Sequence, residues 1–195
     1  AAATPPSGPV RDIFVRNQSF EEEPIATNTN NNSVFRWTPS GGGGAGTLDG
    51  FAAQGLAPRP DGTDQNAFSN GTDLFQVTQE LITADTLYTL MVDVGDRNDT
   101  AFPATDIRLG AGGTFGTDLL TVDELINPTP PNGGWETWTL TALIEDGDPL
   151  IGQPLRIELL AGGVQGQFDN VRLTAQSTAA VPEPASIAIW SIFGL

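Results

Sequence analysis

The chain contains no cysteine, no histidine and no lysine. Without Cys there is no disulfide framework, no thiolate nucleophile and no Cys-based zinc site. Without His there is no Ser-His-Asp triad, no imidazole metal ligand and no histidine general base. Without Lys there is no Schiff-base amine, no phosphate-loop lysine and no isopeptide crosslink. The eight cations are all Arg and face 24 Asp and Glu, a formal net charge of -16. Such a charge repels nucleic acid and anionic membrane surfaces, so no nucleic-acid partner is expected. Most enzyme classes fall with these side chains, and the sequence is read as non-catalytic. A hydrolase using two carboxylates is the one catalytic reading left. With so many acids, some pair meets that spacing in almost any fold.

What remains is β sequence. The length, 195 residues, suits one domain with appendages. Residues 1–10, opening AAATPPSGP, form a flexible N-terminal arm, and 11–175 a β-sandwich domain. Residues 176–184 are a linker ending in Pro-Glu-Pro, and 185–195 an uncharged apolar tail. Within the domain, strands are predicted at Arg11 to Asn17, Val34 to Thr38, Asp106 to Leu109, Trp135 to Ile144, Pro154 to Leu160 and Gln167 to Thr174. Gly41 to Gly44 reads as a loop. Asn70-Gly71 between Gln65 to Ser69 and Leu74 to Leu81 reads as a hairpin turn. Thr86 to Val94 is the longest β run, with Tyr88, Leu90, Val92 and Val94 on its core face. In Gln167 to Thr174, alternation sets Phe168, Asn170, Arg172 and Thr174 against Asp169, Val171 and Leu173. DLLTVDELI, Asp118 to Ile126, fits a short helix or an irregular strand equally well.

Two groups of residues stand out as candidate sites. Trp37, Trp135 and Trp138 supply flat faces on which a sugar can stack, with Trp135 and Trp138 pointing to opposite sides of one strand. Asp93, Asp96 and Asp99 cluster in DVGDRND, where Arg97 points to charge compensation in a solvated loop.

Val181-Pro182-Glu183-Pro184-Ala185-Ser186 and the apolar run after it resemble the PEP-CTERM sorting signal of secreted bacterial proteins. The resemblance implies export, recognition of Pro182, Glu183 and Pro184 by an exosortase-type membrane enzyme, and a destination outside the cell or at its surface. The eleven-residue run is too short for a spanning helix, which needs about 20 residues. It is expected to be cut away or buried against another subunit, with Ile187, Ile189, Trp190, Ile192 and Phe193 as assembly residues.

The order of VRNQSFEEEP, YTLMVDVGDRND, IGQPLRIELLAGG and GQFDNVRLTA resembles the galactose-binding-like jelly roll of carbohydrate-binding modules. That resemblance implies an all-β jelly-roll sandwich whose first and last strands lie close, with Glu21 and Asp169 holding a structural calcium ion. Together these features lead to the expectation of a secreted extracellular structural protein that self-assembles as a homo-oligomer or filament. The alternative is a non-catalytic module that binds extracellular polysaccharide.

Overall fold

The computed structural model describes residues 8–50, 56–59, 61–62, 65–120, 124–126 and 128–179. The strands are β1 (Val10–Ile13), β2 (Thr38–Ser40), β3 (Gly44–Asp49), β4 (Gln65–Asn70), β5 (Asp73–Leu81), β6 (Thr86–Gly95), β7 (Ala104–Ala111), β8 (Glu124–Ile126), β9 (Trp135–Ile144), β10 (Pro154–Gly162) and β11 (Gly166–Ser177). One sheet runs β3-β4-β11-β6-β9-β8, with β1 pairing the far half of β11; the other runs β2-β5-β10-β7. The pairings within both sheets are antiparallel. This is the expected jelly-roll sandwich, and the first and last strands do lie together.

Alternation decides which side chains enter the layer between the sheets. Tyr88, Leu90, Val92 and Val94 of β6 meet Leu155, Ile157 and Leu159 of β10 and Ile107 and Leu109 of β7 in one buried cluster. Each such side chain contributes about 1.5–3 kcal/mol of burial. Phe20 and Trp37 close one end, their ring centroids 5.7 Å apart, and Trp138 packs edge-on against Phe102 at 6.2 Å. The buried Gln76 ties the loop before β2 to the core by accepting from the Arg16 N–H at 2.8 Å and donating to the Arg16 carbonyl at 2.9 Å.

Several sequence expectations are corrected. Asn70-Gly71 is not a hairpin turn, because β4 belongs to the seven-stranded sheet and β5 to the four-stranded one. Gly71 takes the positive φ that Asn-Gly favours, +69°, but the turn carries the chain across the sandwich. The first strand ends at Ile13 rather than Asn17, and Asn17, at φ +48°, starts a turn. Val34 to Trp37 is turn rather than strand; only Thr38 pairs, in β2. Gly44, expected in a loop, instead begins β3 against β4. Its neighbour Gly46 is held there by close approach, since a Cβ would sit 1.9 Å from the Asn31 carbonyl oxygen. The ambiguous stretch near Asp118 resolves as strand at β8. The sorting motif and the tail, residues 180–195, lie outside the described residues.

Over β10 the outer face of the four-stranded sheet is covered by its own chain, while Val77 and Leu81 of β5 stay exposed. Residues 112–118 fold back over β10 and cover Arg156 and Glu158, whose side chains are fully buried. Phe115 packs on Phe75 there, at 5.8 Å between centroids. A cluster of polar side chains lies on the outer face of the other sheet.

Candidate functional site

The site grows from an irregularity in β11. A register shift between Asp169 and Arg172 accompanies Asn170 at φ +48°, a bulge that advances the pleat by one residue. Before it, Phe168 points into the core; after it, Val171, Leu173 and Ala175 do. Simple alternation set Phe168 against Val171 and Leu173, and the bulge is why it failed. The result is that Asp169 turns to the outer face together with Arg172.

Neighbouring strands bring further side chains to that face. Asp93 of β6 lies directly opposite Asp169, and Thr137 of β9 directly opposite Asp93. Asp93 accepts from the Thr137 hydroxyl at 2.5 Å, from the Asn170 side-chain amide at 2.9 Å and from the Arg172 guanidinium at 3.1 Å. Gln167 of β11 accepts from the Asn66 amide of β4, and the Asn66 carbonyl oxygen in turn accepts from Arg59. Over the face runs the segment 56–59 and 61–62. Ala57 donates its N–H to the Gly133 carbonyl at 2.7 Å and accepts from the Trp135 indole N–H at 3.0 Å.

Trp135 needs Gly95 beneath it. A Cβ on Gly95 would stand 2.9 Å from the indole carbon Cζ3, closer than real side chains come. Gly95→Val is therefore expected to lift the indole, break its bond to Ala57 and cost about 1–3 kcal/mol, measured by denaturant melts. A Gly95→Val protein as stable as the parent would show that the indole does not depend on that contact.

Asp169 is the chemically unusual group. Its side chain is fully buried; Oδ1 accepts the Asn170 backbone N–H at 2.7 Å, and among the described residues Oδ2 has no hydrogen-bond partner. Burial pushes its pKa up to about 8, with the negative charges of Asp61 and Asp93 adding to the rise and the Asn170 N–H and Arg59 opposing it. A carboxyl in this state carries its proton at neutral pH and can donate it.

The other predicted residues are distributed differently. Glu21, expected beside Asp169 on calcium, accepts from both the backbone N–H and the side-chain amide of Gln65. Calcium takes six to eight oxygens. Among the described residues no group of three acidic side chains converges to hold a metal ion. Trp37 and Trp138 are buried in the core, and only Trp135 belongs to the outer face. In the DVGDRND loop Arg97 holds Asp99 with bonds of 2.8 and 2.7 Å, the compensation expected there. The sequence reading missed Asn66, Gln167 and Arg172, and it put Asp93 in a solvated loop where the structure buries it in β6. Asp93 was visible as the one acid on the outward side of an otherwise apolar strand.

Comparison with known proteins bears on this site. A family model described as HpiC1 cyclase matches residues 11–174. A Stig cyclase, Fisc, from Fischerella sp. TAU, in complex with (3Z)-3-(1-methyl-2-pyrrolidinylidene)-3H-indole, is similar with a TM-score of 0.75 and 23% identity, over 87% of this chain and 99% of that one. A cyclase from the same organism, in complex with 4-(1H-indol-3-yl)butan-2-one, gives 0.71 and 21% over 87% and 100%. The xylan-binding CBM22-1 domain of Paenibacillus barcinonensis Xyn10C gives 0.51 and 13% over 90% and 99%, a likeness of fold. No curated protein sequence matches. The cyclase match overturns the expectation of a non-catalytic, self-assembling matrix protein, and with it that of a polysaccharide-binding module. The expectation failed because absent His, Cys and Lys exclude only the chemistry of those side chains, and carboxyl groups can act as acids or bases without them.

Proposed function

The chain belongs to the HpiC1-like cyclase family, and from that premise we propose that it is an acid-initiated cyclase with Asp169 as proton donor. The observation that carries the proposal is the buried Asp169 carboxyl, held to about 8 with Oδ2 unpartnered. The proton on Oδ2 passes to a carbon of an electron-rich double bond in the substrate. The π electrons form the new C–H bond and leave a carbocation, with Asp169 now a carboxylate. A second π system of the same substrate attacks the cation, forming the ring C–C bond, and loss of a proton back to the Asp169 carboxylate completes an isomerisation with no net change of oxidation state. Ligands bound to two similar cyclases are indoles, which supports an indole-bearing unsaturated substrate here.

Burial strengthens the step in two ways. A desolvated acid is poised near neutrality, where proton donation is efficient. Exclusion of water by the strap of residues 56–59 and 61–62 also limits capture of the cation as an alcohol.

The pH dependence has a definite sign. Turnover requires protonated Asp169, so it is expected to hold through pH 6–7 and to fall tenfold per pH unit above about 8. Product formation from indole-bearing unsaturated substrates, followed by mass spectrometry across pH 5–10, measures this. Activity that rises through pH 8 would show that the working form is the carboxylate and would end the proton-donor reading.

A further inference from the structure

Among the described residues Asp169 has one oxygen bonded and one without a partner. The bonded one, Oδ1, takes the N–H of the next residue, Asn170, which adopts φ +48° at the bulge. An ordinary strand residue would point that N–H toward a neighbouring strand. Asn170 is held in turn by Asp93, through its side-chain amide at 2.9 Å, and Asp93 is fixed by Arg172 and Thr137. Arg172 also donates to the Asn170 carbonyl at 3.2 Å, so both sides of the bulge are tied to the same carboxylate.

We propose that Asp93 is a positioning residue which, by anchoring Asn170 and Arg172, locks the β11 bulge so that the backbone N–H occupies Oδ1 of Asp169 and the transferable proton is confined to Oδ2. This rests on Asp169 as proton donor and adds what aims that donor. The bulge costs a ladder pairing and places a non-glycine residue at positive φ, so it needs outside support. Asp93, itself nearly inaccessible and bonded on both oxygens, gives it. Four charged groups act around the donor. Asp61 and Arg59 come from the strap and Asp93 from β6, while Arg172 neutralises Asp93 from β11.

The test uses Asp93→Asn and Asn170→Gly in the full chain, read by turnover and by the carboxyl ¹³C titration of Asp169, which needs no substrate. Asp93→Asn is expected to lower kcat about ten- to a hundredfold with KM little changed. The Asp169 titration and the alkaline limb of turnover both move to lower pH, since a nearby negative charge is gone. Asn170→Gly keeps the positive φ but loses the bond to Asp93, and shows a smaller fall in kcat. It also keeps the proposal testable where Asp93→Asn does not fold. Folded variants whose kcat and Asp169 titration both match the parent would overturn the positioning role. Full turnover in Asp169→Asn would instead remove the proton donor itself, an outcome distinguishable because the ¹³C titration of Asp93→Asn does not depend on catalysis.

Discussion

Asp169→Asn is expected to lose about 10²–10⁴ of kcat, the span ascribed to one general acid, without loss of stability. Asparagine preserves size and polarity, and its carbonyl oxygen can still accept the Asn170 N–H that Oδ1 accepts now. What it cannot do is release a proton to carbon. The stability half of the prediction has a sign that separates chemistry from scaffold. Asp169, raised to about 8 in the fold, keeps its proton between its ordinary range near 4 and pH 8, while the unfolded chain releases it. Folding is thus most favoured below the unfolded value, and this contribution is lost as pH rises through about 8. Asparagine has no proton to lose, so Asp169→Asn is expected to melt higher than the parent at pH 9. Calorimetry at pH 5 and 9 reads the difference. A variant that is both inactive and less stable at pH 9 would make Asp169 a scaffold residue.

The largest stability effect is expected on the opposite sheet. Arg156 and Glu158 are both fully buried, with Nε to Oε1 at 2.7 Å. Arg156 also donates to the carbonyls of Ala111, Gly112 and Thr117, and Glu158 accepts from the Gly116 N–H at 2.8 Å. Gly110 lies under the guanidinium, where a Cβ would come within 2.4 Å of Nη2. The pair therefore clamps the 112–118 segment onto β10. Glu158→Ala leaves a guanidinium buried without its counter-charge and is expected to cost about 3–5 kcal/mol. Replacing both residues, as Arg156→Met with Glu158→Leu, removes the stranded charge and is expected to recover much of that loss. Urea unfolding of the two variants measures it. A single substitution costing less than the double one would mean that the carbonyl bonds of Arg156, rather than charge pairing, hold the segment. Turnover is expected to be little changed in any variant that stays folded, because this clamp and Asp169 lie on opposite outer faces.

The sandwich was legible wherever one face of a strand is apolar and the other is not. In β6 the alternation assigned Tyr88, Leu90, Val92 and Val94 to the core, and they are fully buried. Trp135 and Trp138, three apart, separated to opposite faces as the pleat requires. Pairing was less legible, since Asn70-Gly71 specifies a turn and not which sheet receives the next strand. Asp169 was singled out in the sequence as a calcium ligand, and nothing in the sequence pointed to it as an acid. A carboxyl's role depends on how many donors reach it and how dry it is, and both depend on the bulge at Asn170 and on a strap more than 100 positions earlier in the chain. Neither leaves a mark in local composition. Arg156 and Glu158 show the same limit, for two charges in an otherwise apolar strand read as solvent-facing until the 112–118 segment is seen to cover them.

Acid catalysis by Asp169 requires that it hold its proton at neutral pH. Following the carboxyl ¹³C shift of Asp169 from pH 3 to 10 in the substrate-free protein answers this directly. The expected result is a single titration with a midpoint near 8, leaving the group protonated at pH 7. A midpoint near 4, the ordinary range of an aspartate, would contradict the proposal, because the group offered as the acid would then have no proton to give.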